Sequence, residues 1–349
     1  MTEIRIGNPN FLSLHYEYPE LKPGQEFIKG DISSDIQEFS KAKTKELISD
    51  QLTEFKDGTL CLSGGYDSQF LALSMIESDF KFSVVIYESL WGNNVVNAND
   101  VMFSEKFCKK YNLPYEIISI DAKDFFENTK MLPMVKKYRN WSPQILFHIY
   151  FLNTLEAEKI IIGGDPPWIT FGNNKAHNVN LFGYVEKYYV PYQIYADLKN
   201  KKLLKGIFHQ SPDLYHLGMA NNIDILKKYN VYQPTNDNFI YEKYRYKEIY
   251  YNNILDIPLE HRLMTATGFE NLKKHYASIT GIYDNFDKEF RAPLEEIAVR
   301  SLITSENKPP AIQRIKFNKD INELYFMKKF EETIKTSEAQ PLKDFLFDF

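Results

Sequence analysis

The chain has 349 residues, 44% of them hydrophobic and 26% charged, and a formal net charge of −5. That length suits two domains, or one large α/β domain with a helical extension, and the mild acidity argues against a broad nucleic-acid-binding face while leaving room for a local basic patch. Two cysteines exclude a disulfide framework and a four-cysteine zinc site, no apolar run approaches the about 18–20 residues of a membrane span, and the stretch from Met1 to Gly7 carries no secretory apolar segment, so a cytoplasmic protein that does not enter membranes is expected.

Residues 1–40, with Pro19, Pro23 and Gly24, read as a leader of short strands and loops. A helix is expected from Ser40 to Phe55, with Leu47, Ile48, Leu52 and Phe55 apolar. Asp57 and Gly58 then turn the chain into a first strand, Thr59–Leu62. Ser63-Gly64-Gly65-Tyr66-Asp67-Ser68 follows and opens an apolar helix through Phe70, Leu71, Leu73, Met75 and Ile76. Phe82–Tyr87 reads as strand two, Asn99–Tyr111 as a helix, Glu116–Ile120 as strand three, Gln144–Ala157 as a helix and Lys159–Ile162 as strand four. Gly163, Gly164 and Asp165, followed by two prolines, end that strand abruptly.

This alternation predicts an α/β fold, a parallel sheet of about five strands flanked by helices on both faces. Cys61 and Cys108 fit it as buried small hydrophobes, and His148, on an apolar face, as a packed side chain. From about Phe182 tyrosines crowd the chain, and helical patterns follow at Asn222–Tyr229, Tyr241–Asn253, Leu259–Tyr276, Asp287–Thr304 and Ile321–Ile334. The expected division is therefore a leader at 1–40, an α/β domain at 41–180, a mainly helical substrate or capping region at 181–335 and a tail at 336–349.

The loop after strand one carries the most chemistry. Paired glycines let the backbone turn tightly and approach a ligand closely. The helix behind them offers unpaired N–H groups and a positive dipole end, which suit a phosphate. Ser63 and Ser68 add hydroxyls, and Asp67 adds a carboxylate for the Mg²⁺ that accompanies a nucleotide. The Lys of a Walker A loop is absent. A plain Gly-Gly turn with Asp67 near a helix start is the alternative.

This hexapeptide between strand and helix resembles the SGGxDS loop of the ATP pyrophosphatases, the PP-loop family. The order of further segments is similar to the asparagine synthetase and β-lactam synthetase branch. Asp100 opens an acid-containing helix, Gly163-Gly164-Asp165 looks like a shortened form of the family's glycine–acid cluster, and Glu289 to Glu295 resembles its Glu-Val-Arg-x-Pro-Phe-Leu-Asp. The resemblance implies a HUP-like fold and the cofactors ATP and Mg²⁺. Leu62, Ser63, Gly64, Gly65, Asp67, Ser68, Ile86, Gly163 and Gly164 would bind ATP or pyrophosphate, with adenine against the backbone near Leu62, Ile86 and Gly163. Asp67 and Asp165 would hold the metal, and Arg291 and Lys316 would be catalytic. Arg291 also reads as an ion-pair partner of Glu289 or Glu295, and Lys316 as a solvated base.

The reaction implied is AMP-forming amide or C–N ligation, in which a carboxylate or amide oxygen is adenylated and ammonia or an amine displaces AMP. Two departures matter. Asp165 is followed by Pro166 and Pro167 where the family has an acidic pair. Position 2 is Thr rather than a nucleophilic Cys, with no glutaminase segment ahead of the loop, so glutamine is not expected to be the direct nitrogen source unless a separate subunit supplies ammonia. A nucleobase- or tRNA-modifying PP-loop enzyme and an inactive nucleotide-binding module are the rival readings, and the substrate is expected to be a small molecule or a nucleobase.

The apolar end, Asp344 to Phe349, resembles the short hydrophobic tails by which some bacteriophage proteins dock on a sliding clamp. Packing into this protein's own core is the other reading. A phage origin, compatible with the abundance of Tyr, Phe, Asn, Lys and Ile, would place the protein in the host cytoplasm.

Overall fold

The computed structural model describes residues 41–128, 130–138, 140, 142–164, 166, 169–172, 175–178, 190–210, 214, 217–218, 221, 225, 239–260, 271–272 and 274–275. Its elements, in chain order, are α1 (Lys41–Thr53), β1 (Thr59–Cys61), α2 (Tyr66–Glu77), β2 (Ser83–Trp91), β3 (Asn94–Val95), α3 (Ala98–Lys110), β4 (Tyr115–Asp121), α4 (Ala122–Glu127), α5 (Met131–Tyr138), α6 (Pro143–Leu152), β5 (Lys159–Ile162), β6 (Ile169–Gly172), β7 (Lys175–Asn178), α7 (Val190–Lys199), β8 (Lys202–Lys205) and α8 (Phe239–Asn252). Among the described residues no helix is long and apolar enough to cross a membrane.

The main sheet has six strands. Five run parallel in the order β4-β2-β1-β5-β8, and β3 pairs antiparallel with the last two residues of β2. The order reverses at β1: chain progress runs outward through β2 and β4 on one side and through β5 and β8 on the other. Such a reversal leaves a crevice at the carboxyl ends of the two central strands, where ligands of open α/β sheets bind.

Alternation along the strands sorts the apolar residues into two layers. Cys61, Val85, Ile160 and Ile162 belong to a cluster with Phe125, Phe147, Ile149 and Tyr195. Leu60, Leu62, Val84, Ile86, Ile161 and Leu204 belong to a second with Phe70, Leu71, Phe107, Tyr250 and Tyr251. Helices α4 to α7 therefore cover one face, and α1, α2, α3 and α8 the other. The α2 side chains Phe70, Leu71, Leu73 and Met75 are at most 1% exposed, and burying each stabilises the fold by about 1.5–3 kcal/mol.

The expected α/β architecture with a parallel sheet is what the structure has, and several bounds differ. Strand two runs to Trp91 rather than Tyr87, because β4 pairs with it as far as Leu90 opposite Asp121. Helix α6 stops at Leu152 rather than Ala157. There Asn153 Nδ2 donates to the Ile149 carbonyl (3.0 Å) and Thr154 Oγ1 to that of Phe151 (2.7 Å), so side chains take up the last helical acceptors. Leu259 and Glu260 are not helical, since their N–H groups donate to Asn252 Oδ1 (3.1 Å) and Gln69 Oε1 (2.9 Å). The fifth parallel strand, β8, lies within the stretch expected to be mainly helical, and β6 and β7 form a two-stranded hairpin that the sequence reading did not include. The expected helices at Asp287–Thr304 and Ile321–Ile334 lie outside the described residues.

Candidate functional site

The loop between β1 and α2 is built where the crevice opens. Gly64 turns it at φ +68°, and a Cβ there would stand 3.0 Å from Phe103 Cβ and 3.1 Å from the Asp100 carbonyl oxygen. Helix α3 thus packs directly on the loop, and Ser104 Oγ adds a hydrogen bond to the Leu62 carbonyl (3.1 Å). Gly65 precedes α2 in an extended conformation, and no side chain caps the helix start. The first turn contains Asp67, whose charge the helix dipole favours.

The two serines meet inside the loop. Ser68 Oγ accepts from the Ser63 N–H (3.2 Å), lies 3.1 Å from Ser63 Oγ and donates to the Gly65 carbonyl (3.0 Å). Ser68 is buried and Ser63 exposed, so the first braces the loop and the second faces solvent. Gln69 braces it from behind, donating to the Gly64 carbonyl at 2.9 Å.

Gly163 packs directly on this loop, and Gly164 on the backbone after β8. A Cβ on Gly163 would stand 3.1 Å from the Ser68 nitrogen and 3.2 Å from Asp67 Cβ, and one on Gly164 would stand 2.6 Å from Gly206 Cα. The expected residues Ser63, Gly64, Gly65, Asp67, Ser68, Gly163 and Gly164 therefore converge. Leu62 and Ile86 lie in the layer beneath α2, with side chains 2% and 1% exposed. The Leu62 N–H donates to the Val85 carbonyl at 2.9 Å. Asp165, Arg291, Lys316 and the Asp344–Phe349 tail lie outside the described residues.

Asp67 has partners that the sequence did not reveal. Lys247 Nζ on α8 donates to its Oδ2 at 2.6 Å, and the Lys247 side chain is only 6% exposed. The Tyr251 hydroxyl donates to Oδ1 and also to the Gly164 carbonyl, the latter at 3.2 Å. The Tyr251 ring stacks on Phe70 with centroids 4.4 Å apart, and Tyr66 reaches Glu248 on the same helix at 3.3 Å. Lys247 and Tyr251 stand four residues apart, which puts them on one face of α8. That spacing was in the sequence, but nothing there said which element the face would meet.

A single carboxylate beside an uncapped helix start suits Mg²⁺ that takes most of its ligands from a bound phosphate and water. Asp67 fits that role on condition that it shares its carboxylate with, or releases, the Lys247 ammonium. Among the described residues no group of three or more His, Cys, Asp and Glu is placed to hold a metal ion.

Lys205 lies beyond Gly163. Lys205, the last residue of β8, donates to the Gly163 carbonyl at 3.2 Å and lies 4.7 Å from the Tyr192 ring centre. The Tyr192 hydroxyl and His148 Nδ1 share a hydrogen bond of 2.7 Å. Loss of solvation, and then the Lys205 charge, push the His148 pKa down to about 3. The imidazole is therefore neutral at pH 7 and packed, as its apolar helix face suggested. Burial pushes the Cys61 thiol up to about 12 against the opposing pull of Lys205, which makes it an inert core residue.

No protein-family model matches the chain. Among solved structures it is similar to an NMN synthetase from Francisella tularensis, at 16% identity over 78% of this chain and 100% of that one, with a TM-score of 0.30. An NH3-dependent NAD synthetase from Campylobacter jejuni subsp. jejuni gives 16% identity over 79% and 100%, TM-score 0.30. A tRNA thiolase from Methanococcus maripaludis gives 14% identity over 76% and 83%, TM-score 0.30.

Proposed function

We propose that the chain is an AMP-forming ligase of the ATP pyrophosphatase kind, nearest the asparagine synthetase branch. The observation that carries this reading is the Ser63–Ser68 loop: a glycine turn at the carboxyl end of a central parallel strand, opening an uncapped helix start at the point where strand order reverses. Such a start gathers N–H donors around an anion. No lysine stands in the loop itself, so the loop is suited to hold a departing pyrophosphate rather than to grip a γ-phosphate.

In the proposed reaction an acceptor carboxylate or amide oxygen attacks the α-phosphorus. The α–β phosphoanhydride bond breaks with its electron pair leaving on pyrophosphate. Ammonia or an amine then attacks the activated carbon, loses a proton, and AMP departs. Charge grows on the bridging oxygen as the anhydride opens, so preorganised donors act most there. Asp67 is the described residue that would hold Mg²⁺, which would supply charge neutralisation of the phosphates.

Pyrophosphate release from ATP, measured across a panel of carboxylic acids, amides and nucleosides with ammonia present, tests this function. At least one acceptor is expected to stimulate release, and Ser63→Ala, which removes the exposed hydroxyl of the loop, to lower that rate by about a hundredfold, as loss of a positioned donor does. Stimulation by nucleosides alone would move the protein to the base-modifying class. Release that no acceptor changes would mark a binding module.

A further inference from the structure

We propose that Lys247 is the resident counter-ion of Asp67 and a positioning residue of the site. It holds the carboxylate in the protein without nucleotide, and it makes Mg²⁺ binding there conditional on the phosphates that arrive with the metal. The proposal rests on the adenylation reading above, in which Asp67 is a protein ligand of the metal.

The ion pair is fixed by packing and is not a meeting of two mobile surface chains. Lys247 stands on α8 among Tyr246, Tyr250 and Tyr251, each at most 1% exposed. The Tyr250 hydroxyl donates to the Gly218 carbonyl (3.1 Å), and Asn221 Nδ2 donates to the Tyr250 carbonyl (3.0 Å). Tyr251 stacks on Phe70 of α2 with centroids 4.4 Å apart. The helix that carries the lysine is therefore seated on the helix that carries the aspartate. The lysine side chain is 6% exposed, and its ammonium lies 2.6 Å from Asp67 Oδ2. Tyr251, one turn further on, donates to the other oxygen, Oδ1, and reaches the Gly164 carbonyl at 3.2 Å.

Both carboxylate oxygens of Asp67 thus carry a donor from α8. Each oxygen has a second lone pair, so these hydrogen bonds alone would not exclude a cation. The charge of the ammonium would. A bare divalent ion at Asp67 would stand close to a buried positive charge, in a place where charges are screened less than in water. It would gain a single carboxylate, and Mg²⁺ gives up its water reluctantly.

Metal that arrives on a triphosphate changes this balance. The phosphate oxygens offset both cations at once, so the carboxylate can serve the metal while the ammonium keeps an anionic neighbour. Lys247 keeps its proton throughout. Metal and nucleotide then enter together, and free metal does not load Asp67 in advance.

Equilibrium dialysis of the full chain against Mn²⁺, standing in for Mg²⁺, with and without ATP, tests the assignment. The wild-type protein is expected to retain Mn²⁺ far better when ATP is present. Lys247→Met should bind Mn²⁺ without ATP about tenfold tighter than wild type, or more, because a nearby like charge is gone. The double variant Asp67→Asn, Lys247→Met should lose that gain. If Lys247→Met does not fold, Lys247→Gln, which keeps a neutral donor for Oδ2, carries the same expectation. Equal Mn²⁺ affinity in wild type and Lys247→Met, a wild-type affinity that ATP does not raise, or a gain that survives Asp67→Asn would overturn the role of Lys247 alone. Wild-type protein that retains neither ATP nor Mn²⁺ when both are supplied would overturn the adenylation reading and the assignment with it.

Discussion

Asp67→Asn is expected to destabilise the fold by about 3 kcal/mol, the low end for breaking a buried ion pair, and to abolish ATP turnover. The sequence motif alone suggests a fold-neutral change, because asparagine keeps the shape and loses only the charge. The structure changes that expectation. Lys247, 6% exposed, donates to Asp67 at 2.6 Å, so the amide would leave a buried ammonium without its carboxylate. Asp67 itself is 24% exposed, which is why the low end of the range applies. The Tyr251 hydroxyl keeps an acceptor either way, in the asparagine Oδ1 or in the Gly164 carbonyl. A double-mutant cycle separates the two effects. Adding Lys247→Met to Asp67→Asn should recover much of the denaturant midpoint and none of the turnover. Full stability in Asp67→Asn alone would show that the pair does not tie α8 to the loop.

Gly164→Ala should have the next largest effect. Its Cβ would lie 2.6 Å from Gly206 Cα and 2.7 Å from Gly206 N. Both are backbone atoms, so no side chain can swing aside. Relief requires β5 and β8 to separate at their carboxyl ends, where Lys205 and the Gly163 carbonyl meet. Overpacking of this kind costs about 1–3 kcal/mol. Because the displacement falls on the crevice wall, KM for ATP should rise several-fold in the protein that remains folded. Gly64→Ala disturbs the other wall through its positive φ, with Phe103 Cβ at 3.0 Å, and a left-handed alanine costs about 1–2 kcal/mol. Denaturant titration with steady-state kinetics on both variants measures this. A Gly164→Ala protein of unchanged stability and KM would mean that the strands part freely at that end.

The loop and the elements around it were legible because their signals are local. Thr59–Cys61 is a short run directly after Gly58, Lys159–Ile162 one directly before Gly163, and α2 follows a Gly-Gly turn. Strand β8 was not. Lys-Leu-Leu-Lys is four residues long and does not alternate; only its pairing with β5 makes it a strand. Lys205 shared that obscurity, as one of four lysines from Lys199 to Lys205. Lys247 and Tyr251 were hidden differently. Their helix was expected, but its partner lies 180 residues away in sequence at Asp67, and no periodicity encodes such a contact. The converse holds for Leu62 and Ile86, which stand beside the loop in sequence or register while their side chains face the core.

The bond of ATP that breaks is the most direct measure of the account. Chromatography of the nucleotide products, with an acceptor that stimulates turnover, should show AMP and pyrophosphate in equal amounts and no accumulation of ADP. The Ser63–Ser68 loop, with its uncapped helix start and no lysine of its own, motivates that outcome. ADP and phosphate as the main products would contradict it, because a loop built to hold pyrophosphate would then be serving γ-phosphoryl transfer.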